Sequence, residues 1–146
     1  MAIKNYISDV CGAVFVVGSG TLTNADMLDS VIAVRADDRL VPDMATMCDF
    51  TAVDIMDVTP EGVRDMVAYM SQTRDRRDHA KTAIVVQKAG MAIMADLFAF
   101  SSSSAGLNQV VQLFQTAREA LDWLNIPVED YAAETTEKCY DKCSGM

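Results

Sequence analysis

Apolar residues in this chain fall into short runs rich in β-branched side chains, which alternate with longer segments of helical spacing. Such alternation is typical of strand-to-helix crossovers and a largely parallel sheet. The predicted order is β-β-α-β-α-β-α-β-α, an α/β fold with a single mostly parallel five-stranded sheet and four helices. The predicted strands are Ile3 to Ile7, Ala13 to Val17, Ala45 to Phe50, Thr82 to Gln87 and Val110 to Phe114.

The second predicted helix has the clearest start signal in the chain. Thr59 suits an N-cap, and Pro60 suits the first helical position, where a backbone N–H is not needed. The apolar residues that follow recur at helical spacing, so they are predicted to pack on the sheet while Arg64, Asp65 and Gln72 face solvent. These apolar residues are Val63, Met66, Val67 and Met70.

Two other helices are predicted to begin at capping boxes, in which a threonine and an acidic residue three positions later satisfy each other's backbone N–H groups. Thr23 and Asp26 form the first pair, and Thr116 and Glu119 form the second. Pro127 cannot continue the helix that Thr116 begins, so this helix is predicted to stop before it.

The 146 residues fit one domain, of a size that needs neither disulfides nor a metal for stability. We therefore place an α/β domain at residues 1–127. Residues 128–146 are rich in acidic side chains and are predicted to form a flexible C-terminal tail.

The third predicted helix, Met91 to Phe100, is apolar on nearly every side and is followed by four serines. Because a helix on a sheet has one solvated face, its apolar side chains cannot all contact the sheet. A second copy of the chain, a bound apolar molecule or the C-terminal tail is expected to cover the remainder, and a homodimer is the default. The candidate interface or ligand-binding residues are Met91, Met94, Leu97, Phe98 and Phe100.

The formal net charge of the chain is -9, from 21 acidic and 12 basic residues. Nucleic-acid binding needs a basic face that displaces counterions from phosphates, so nucleic acid is not an expected partner. The basic cluster Arg74, Arg76 and Arg77 is interrupted by Asp75 and followed by Asp78. We interpret it as the solvated end of the second helix.

No segment is predicted to span a membrane. The longest stretch without charged residues, Leu97 to Ala117, contains four serines, one asparagine and three glutamines. Asp9 and Gly12 precede the short apolar run Ala13 to Val17, which is unlike the core of a signal peptide. We therefore expect a cytoplasmic location.

Four cysteines, at positions 11, 48, 139 and 143, lack the dense spacing of a secreted disulfide framework, so most are expected to be reduced. Cys139 and Cys143 would share one face of a helix, where two thiols can bind a metal or form a redox pair. Metal sites usually need four ligands and no CxxC motif is present, so incidental thiols are the preferred interpretation.

Three segments show a pattern of strand, turn and helix cap: Phe15 to Thr23, Asp49 to Thr59 and Phe114 to Leu124. Together they resemble the SpoIIAA-like branch of the STAS fold, over the region from Gly12 to Asn125. The resemblance implies a non-catalytic bacterial module that regulates by binding another protein. The same branch is similar to SEC14-type lipid-binding domains, which implies an alternative role as carrier or sensor of an apolar small molecule or lipid.

In the anti-sigma-factor antagonists of that family, the turn before the second helix resembles Asp-Ser-Ser-Gly, and phosphorylation of its first serine switches partner binding. The matching residues here are Asp57, Val58, Thr59 and Pro60. Valine has no hydroxyl, so the switch does not carry over residue for residue. Asp57 and Thr59 are the candidates for a regulatory turn, because a phosphate on Thr59 would meet the N–H groups of a helix N-terminus. A simple N-cap is the preferred interpretation of Thr59.

Two weaker patterns have plainer interpretations. Asp49, Asp54 and Asp57 lie near the end of a predicted parallel strand, where carboxylates can hold Mg²⁺, but no phosphate-binding glycine loop or lysine accompanies them. No metal and no cofactor is therefore predicted. Gly18 and Gly20 follow a strand as in a dinucleotide-binding turn, but the third glycine is missing, so a tight turn is the preferred interpretation.

Catalytic chemistry has little support in the sequence. His79 is the single histidine, and no cysteine or serine lies beside it in a nucleophile motif. A thiol-dependent enzyme that uses Cys139 and Cys143 would need a base and an orienting group that no motif provides. The sequence therefore predicts a binding protein and not an enzyme.

Overall fold

The computed structural model describes residues 2–73, 80–107 and 109–136, which form five strands and five helices. In chain order these elements are β1 (Ile3–Ser8), β2 (Ala13–Thr23), α1 (Asn24–Ala36), β3 (Ala45–Asp57), α2 (Pro60–Gln72), β4 (Lys81–Val85), α3 (Ala89–Ser104), β5 (Val110–Phe114), α4 (Ala117–Leu124) and α5 (Val128–Thr135).

The strands form one sheet in the order β1-β2-β3-β4-β5, so each strand pairs with the one that precedes it in the chain. β1 runs antiparallel to β2, and the remaining pairs are parallel. Parallel neighbours require crossover connections, which α1, α2 and α3 provide. The predicted α/β class, with a single mostly parallel five-stranded sheet, is thus confirmed.

The three crossover helices cover one face of the sheet, and α4 and α5 cover the other. Side chains alternate between the two faces along β2, where Val14 and Val16 contact the crossover helices and Phe15 lies on the opposite side. The core under α1 to α3 is the larger of the two. The smaller core contains Leu121 of α4 and Ile126, which follows it.

Local signals produce α2 as predicted. The Thr59 hydroxyl oxygen accepts a hydrogen bond from the N–H of Gly62 at 3.2 Å, and Pro60 stands at the start of the helix. The apolar stripe is buried or packed against the larger core, and the three polar residues predicted to face solvent are exposed. The predicted phase of this helix is confirmed.

The predicted capping box of α1 is complete: the N–H of Thr23 donates to Asp26 at 2.9 Å, and the N–H of Asp26 donates to the Thr23 hydroxyl at 3.2 Å. At α4 only half of the predicted capping box forms: the Thr116 hydroxyl accepts from the N–H of Glu119 at 3.2 Å, but the Glu119 carboxylate accepts from the Thr116 hydroxyl, at 3.0 Å, and not from the Thr116 N–H. Asn125 then ends α4 in the left-handed conformation, with φ of 59°.

Strands β2 and β3 are longer than predicted. They continue as a parallel pair beyond the end of β4, up to the register partners Thr23 and Asp57, with two irregularities in register. The residues predicted to form a turn after Phe50 therefore belong to β3. Gly18 and Gly20 lie within β2 and not in a tight turn, and Gly20 takes a φ of 68° beside one irregularity, a conformation that suits glycine.

Helix α3 is also longer than predicted, since it includes all four serines and ends at Ser104. Gly106 follows in the left-handed conformation with φ of 78°, and the N–H of Leu107 donates to the carbonyl of Ser102 at 3.0 Å. This is a Schellman motif, in which glycine is the favoured residue. The stop signal is therefore the glycine and not the serines.

Helix α5 occupies the first eight residues of the segment predicted to be a flexible tail. Tertiary contacts explain the difference. The Tyr131 hydroxyl donates to the Asp49 carboxylate at 2.7 Å, and the Tyr131 ring meets the edge of the Phe15 ring with centroids 4.9 Å apart. The remainder of the predicted tail, residues 137–146, lies outside the described residues.

Other predicted features also lie outside the described residues. These are the basic cluster with its two aspartates at residues 74–78, His79, Cys139 and Cys143. Within the residues that are described, no helix is both long enough and apolar enough to cross a membrane.

Candidate functional site

The candidate regulatory turn lies where two helices begin side by side. Thr23 and Asp57 are register partners at the ends of β2 and β3, and α1 and α2 start directly after them. The Asn24 side-chain Nδ2 donates to the Thr59 hydroxyl oxygen at 3.0 Å, and the backbone N–H of Thr59 donates to the side-chain oxygen Oδ1 of Asn24 at 3.0 Å. Thr59 is thus both a helix cap and a link between two helix starts.

The residues beside Thr59 differ in where they point. Asp57 is exposed, whereas Val58 is half-buried and packs against the larger core. Gly62 permits the close approach of the two helix starts, because a Cβ at this position would overlap the Asn24 side chain. The role of Asp57 and Thr59 in regulation stays a prediction.

Thr59→Ala is expected to lower the free energy of unfolding by about 1–2 kcal/mol, since it removes the cap of α2 and the acceptor for Asn24. Chemical denaturation followed by circular dichroism measures this change. Thr21→Ala, at an exposed position on β2, is the control for losing a threonine hydroxyl. An unchanged midpoint for Thr59→Ala would contradict the capping role.

The second candidate site is the interior cavity, a partly enclosed space of about 110 Å³ between the sheet and helices α1 to α3. Its floor is formed by β2, β3 and β4, and most of its lining side chains are apolar. Six of the ten methionines of the chain line it: Met27, Met56, Met66, Met70, Met91 and Met94. Flexible thioether side chains adapt to occupants of different shape, so this lining suits a ligand pocket.

The residues singled out on α3 divide between two faces of that helix. Met91, Met94 and Phe98 line the interior cavity, and Leu97 is half-buried against the larger core. Phe100 is 71% exposed, and Ile93, seven residues before it on the same side of the helix, is 63% exposed. These residues were predicted as one interface or ligand-binding set. In the structure they divide between a face that lines the cavity and an outer face that is exposed.

The three aspartates considered for metal binding do not converge. The Asp49 carboxylate is buried on the α5 side of the sheet, where it accepts from the N–H of Thr51 at 3.1 Å and from its hydroxyl at 2.8 Å. Asp54 and Asp57 are exposed farther along β3. Among the residues that the structure describes, no three His, Cys, Asp or Glu side chains are close enough together to hold a metal ion.

Two cysteines lie within the described ranges, and neither forms a disulfide. Cys48 lines the interior cavity from β3. Cys11 lies in the turn between β1 and β2, where burial raises the pKa of its thiol above the ordinary value. A raised pKa leaves less thiolate at neutral pH, so Cys11 is a poor nucleophile.

Sequence reasoning missed Arg35, which lines the interior cavity from the last turn of α1 and is only 7% exposed. Its guanidinium donates to the carbonyl of Thr73 at 2.8 Å and to the Thr73 hydroxyl at 3.1 Å. Helical spacing was the signal that could have found it, because Arg35 follows Met27 and Val31 at eight and four residues on the apolar face.

No protein-family model and no curated protein matches this chain. Among solved structures, the chain is similar to an uncharacterized protein of the DUF3478 family from Shewanella loihica PV-4, which has a SpoIIAA-like fold. The sequences are 18% identical, the TM-score is 0.53, and the match covers 84% of this chain and 92% of that chain. At this identity the likeness concerns the fold alone. The SpoIIAA-like fold that the sequence suggested is thus confirmed.

Proposed function

We propose that this SpoIIAA-like domain binds an apolar small molecule in the interior cavity and acts as its carrier or sensor, without catalysing a reaction. The observation that carries the proposal is the cavity itself, which interrupts the larger core and is lined mainly by methionine, valine and phenylalanine side chains. Well-packed cores leave few voids larger than a water molecule. A cavity of this size in the core is therefore unusual, and it supports a role in ligand binding.

The size of the interior cavity limits its occupant. At about 110 Å³ it is somewhat smaller than an engineered apolar cavity of about 150 Å³ that stays dry and binds benzene. An occupant no larger than a single ring or a short alkyl chain therefore matches the size of the cavity. Rotation of the lining methionines would admit a longer chain; four of them lie in the helices α2 and α3, at Met66, Met70, Met91 and Met94.

Thermal unfolding in the presence of benzene tests this proposal. A ligand that binds only the folded state at 100 times its Kd stabilises it by about 2.7 kcal/mol, so the wild-type Tm is expected to rise with benzene concentration. Ala95→Leu fills the interior cavity from α3 and is expected to abolish the rise. Ala68→Leu makes the same change on the exposed side of α2 and should keep it.

A cavity-enlarging variant protects the test against a filling variant that fails to fold. Met66→Ala removes a lining side chain, so it is expected to lower stability yet to bind benzene more tightly than the wild type. A wild-type protein whose Tm does not respond to benzene or to 1-hexanol, and whose Met66→Ala variant does not respond either, would overturn the proposal.

As a second function, we propose that the domain works as a protein-interaction module that forms a homodimer through the outer face of α3. The exposed side chains of Ile93 and Phe100 support this proposal, since both lie on one line along the helix. Two-fold self-association is the commonest way to cover such a surface.

Sedimentation velocity across micromolar concentrations tests self-association. Phe100→Asp is expected to shift the protein to monomer without changing its stability, because Phe100 is exposed in the isolated domain. Ala133→Asp adds the same charge on α5, on the other side of the sheet, and should leave the dimer intact. A wild-type monomer at high micromolar concentration would contradict the dimer and leave the interior cavity as the remaining candidate.

A further inference from the structure

Part of the wall of the interior cavity and the exposed turn before α2 belong to one segment, residues 56–59. Met56 and Val58 line the cavity and are half-buried. Asp57 and Thr59, which alternate with them, are exposed. Successive side chains of extended backbone point to opposite sides. A shift of this segment therefore changes the inner wall of the cavity and the outer surface of the domain together.

Helix α1 forms the neighbouring part of this wall, and Asn24 joins it to the turn. Asn24 is the first residue of α1, and its side chain makes two hydrogen bonds to Thr59, each at 3.0 Å. Met27 and Val63, one turn into α1 and α2, both line the cavity. The Asn24–Thr59 link therefore fixes the distance between the two helix starts beside the apolar side chains that enclose the cavity.

The polar contacts that join α1 to α2 differ in what it costs to break them. The Asn24–Thr59 link is exposed, so water replaces each partner when the bonds open, and their net contribution is small. At the other end of the two helices, the bonds from Arg35 to Thr73 involve a buried guanidinium, which is costly to leave without partners. Opening is therefore expected at the Asn24–Thr59 link and not at Arg35.

We propose that the turn at residues 56–59 reports at the surface whether the interior cavity is occupied. This inference rests on the proposed binding function. The lining atoms of an empty void lack contacts on one side, and a ligand supplies these contacts fully only while Met56 and Val58 are in place. Ligand binding and the closed Asn24–Thr59 link thus favour the same state of the turn, so each strengthens the other. In the empty domain the link opens more often.

Amide hydrogen exchange with benzene as the probe tests this coupling. The N–H of Thr59 donates to Asn24, and the N–H of Gly62 donates to the Thr59 hydroxyl, so both report on opening of the turn. At a benzene concentration of about 100 times its Kd, both amides are expected to exchange at least about fivefold more slowly than in the empty protein.

The N–H of Glu119 is the matched control for this measurement. It donates to the Thr116 hydroxyl at 3.2 Å, as the N–H of Gly62 does to Thr59, but it caps α4 on the other side of the sheet. Its exchange is therefore expected to slow by less than about twofold when benzene binds.

The coupling must also appear in the affinity for benzene, because two linked equilibria change each other by the same factor. Asn24→Ala removes both hydrogen bonds to Thr59 and is expected to raise the Kd for benzene by about fivefold or more in isothermal titration calorimetry. Thr116→Ala removes the cap of α4 and should leave this Kd unchanged. A purely structural role of Asn24 would lower the stability of the empty protein without changing the Kd.

The outcomes separate this inference from the proposed function. If benzene raises the Tm but slows the amides of Thr59 and Gly62 no more than that of Glu119, the inference is overturned and the proposed function stands. If only 1-hexanol binds, it replaces benzene in the same comparison. If neither probe binds the wild type, the inference fails, and the Met66→Ala variant decides whether the proposed function fails with it. If Asn24→Ala does not fold, the wild-type exchange rates decide the result.

Discussion

Met66→Asp is expected to unfold the domain under conditions in which the wild-type protein is folded. Met66 is only 5% exposed and packs in the larger core beneath α2. Removing a buried methionine side chain costs about 2–5 kcal/mol, and a buried charge without compensation adds about 3–5 kcal/mol. The total is comparable with the stability of a whole domain, about 5–15 kcal/mol. Loss of the near-ultraviolet circular dichroism signal measures the effect.

Ala68→Asp is the matched control, because it introduces the same side chain two residues later on the exposed side of α2. It is expected to stay folded, within about 1 kcal/mol of the wild type. If Met66→Asp instead kept the wild-type denaturation midpoint, this result would contradict the assignment of the Met66 face of α2 to the buried core.

Tyr131→Phe is expected to lower the free energy of unfolding by about 1–3 kcal/mol at neutral pH. The substitution keeps the ring that packs on Phe15 but removes the hydroxyl that donates to the buried Asp49 carboxylate. A buried acceptor that loses a partner costs more than an average hydrogen bond contributes. Urea denaturation with an unchanged midpoint would show that this contact does not hold α5 on the sheet.

The same contact predicts a loss of stability in alkali. Burial, followed by the hydrogen bond to Asp49 and the charge of that carboxylate, raises the pKa of Tyr131 above its ordinary value of 10.0. Above about pH 10 the unfolded chain therefore releases a proton that the folded chain keeps, and stability falls by up to about 1.4 kcal/mol per pH unit. Below that pH this contribution is fully present.

Comparison of variants isolates this part of the pH dependence from other groups that titrate in alkali. Tyr131→Phe is expected to lose stability less steeply than the wild type above about pH 10, because the phenol is absent. Tyr69→Phe removes a tyrosine hydroxyl on α2 but keeps Tyr131, so its free energy of unfolding should fall above about pH 10 as it does in the wild type. Identical slopes for wild type and Tyr131→Phe would contradict the raised pKa.

Features encoded by residues close in sequence were predicted well. The cap at Thr59 with Pro60, the pair Thr23 and Asp26, and the bounds of β5 all depend on positions within a few residues of each other. The spacing of apolar residues alone predicted which side of α2 is buried, because only one rotation of the helix places its apolar stripe on the sheet. The fold class followed from the alternation of these elements.

Features that depend on distant partners were missed. β3 continues to Asp57 because β2 extends beside it as a pairing partner. No local pattern in the residues of β3 predicts this extension. Helix α5 depends on a tyrosine and an aspartate that are 82 positions apart. The candidate site shows the same division: Met91, Met94 and Phe98 were predicted as apolar candidates, but the sequence did not show that they and Arg35 line one cavity.

The order of the strands also bears on how the chain folds as it is synthesised. Because every strand pairs with the one made before it, the sheet can extend from its first hairpin without a later strand being inserted between two earlier ones. The crossover helices arrive along with the strands, whereas α4 and α5 arrive last. Until then Phe15, Met47 and Val85, which are fully buried in the finished domain, lie on an uncovered apolar surface. We therefore expect a growing chain that still lacks α5 to be a substrate for chaperones.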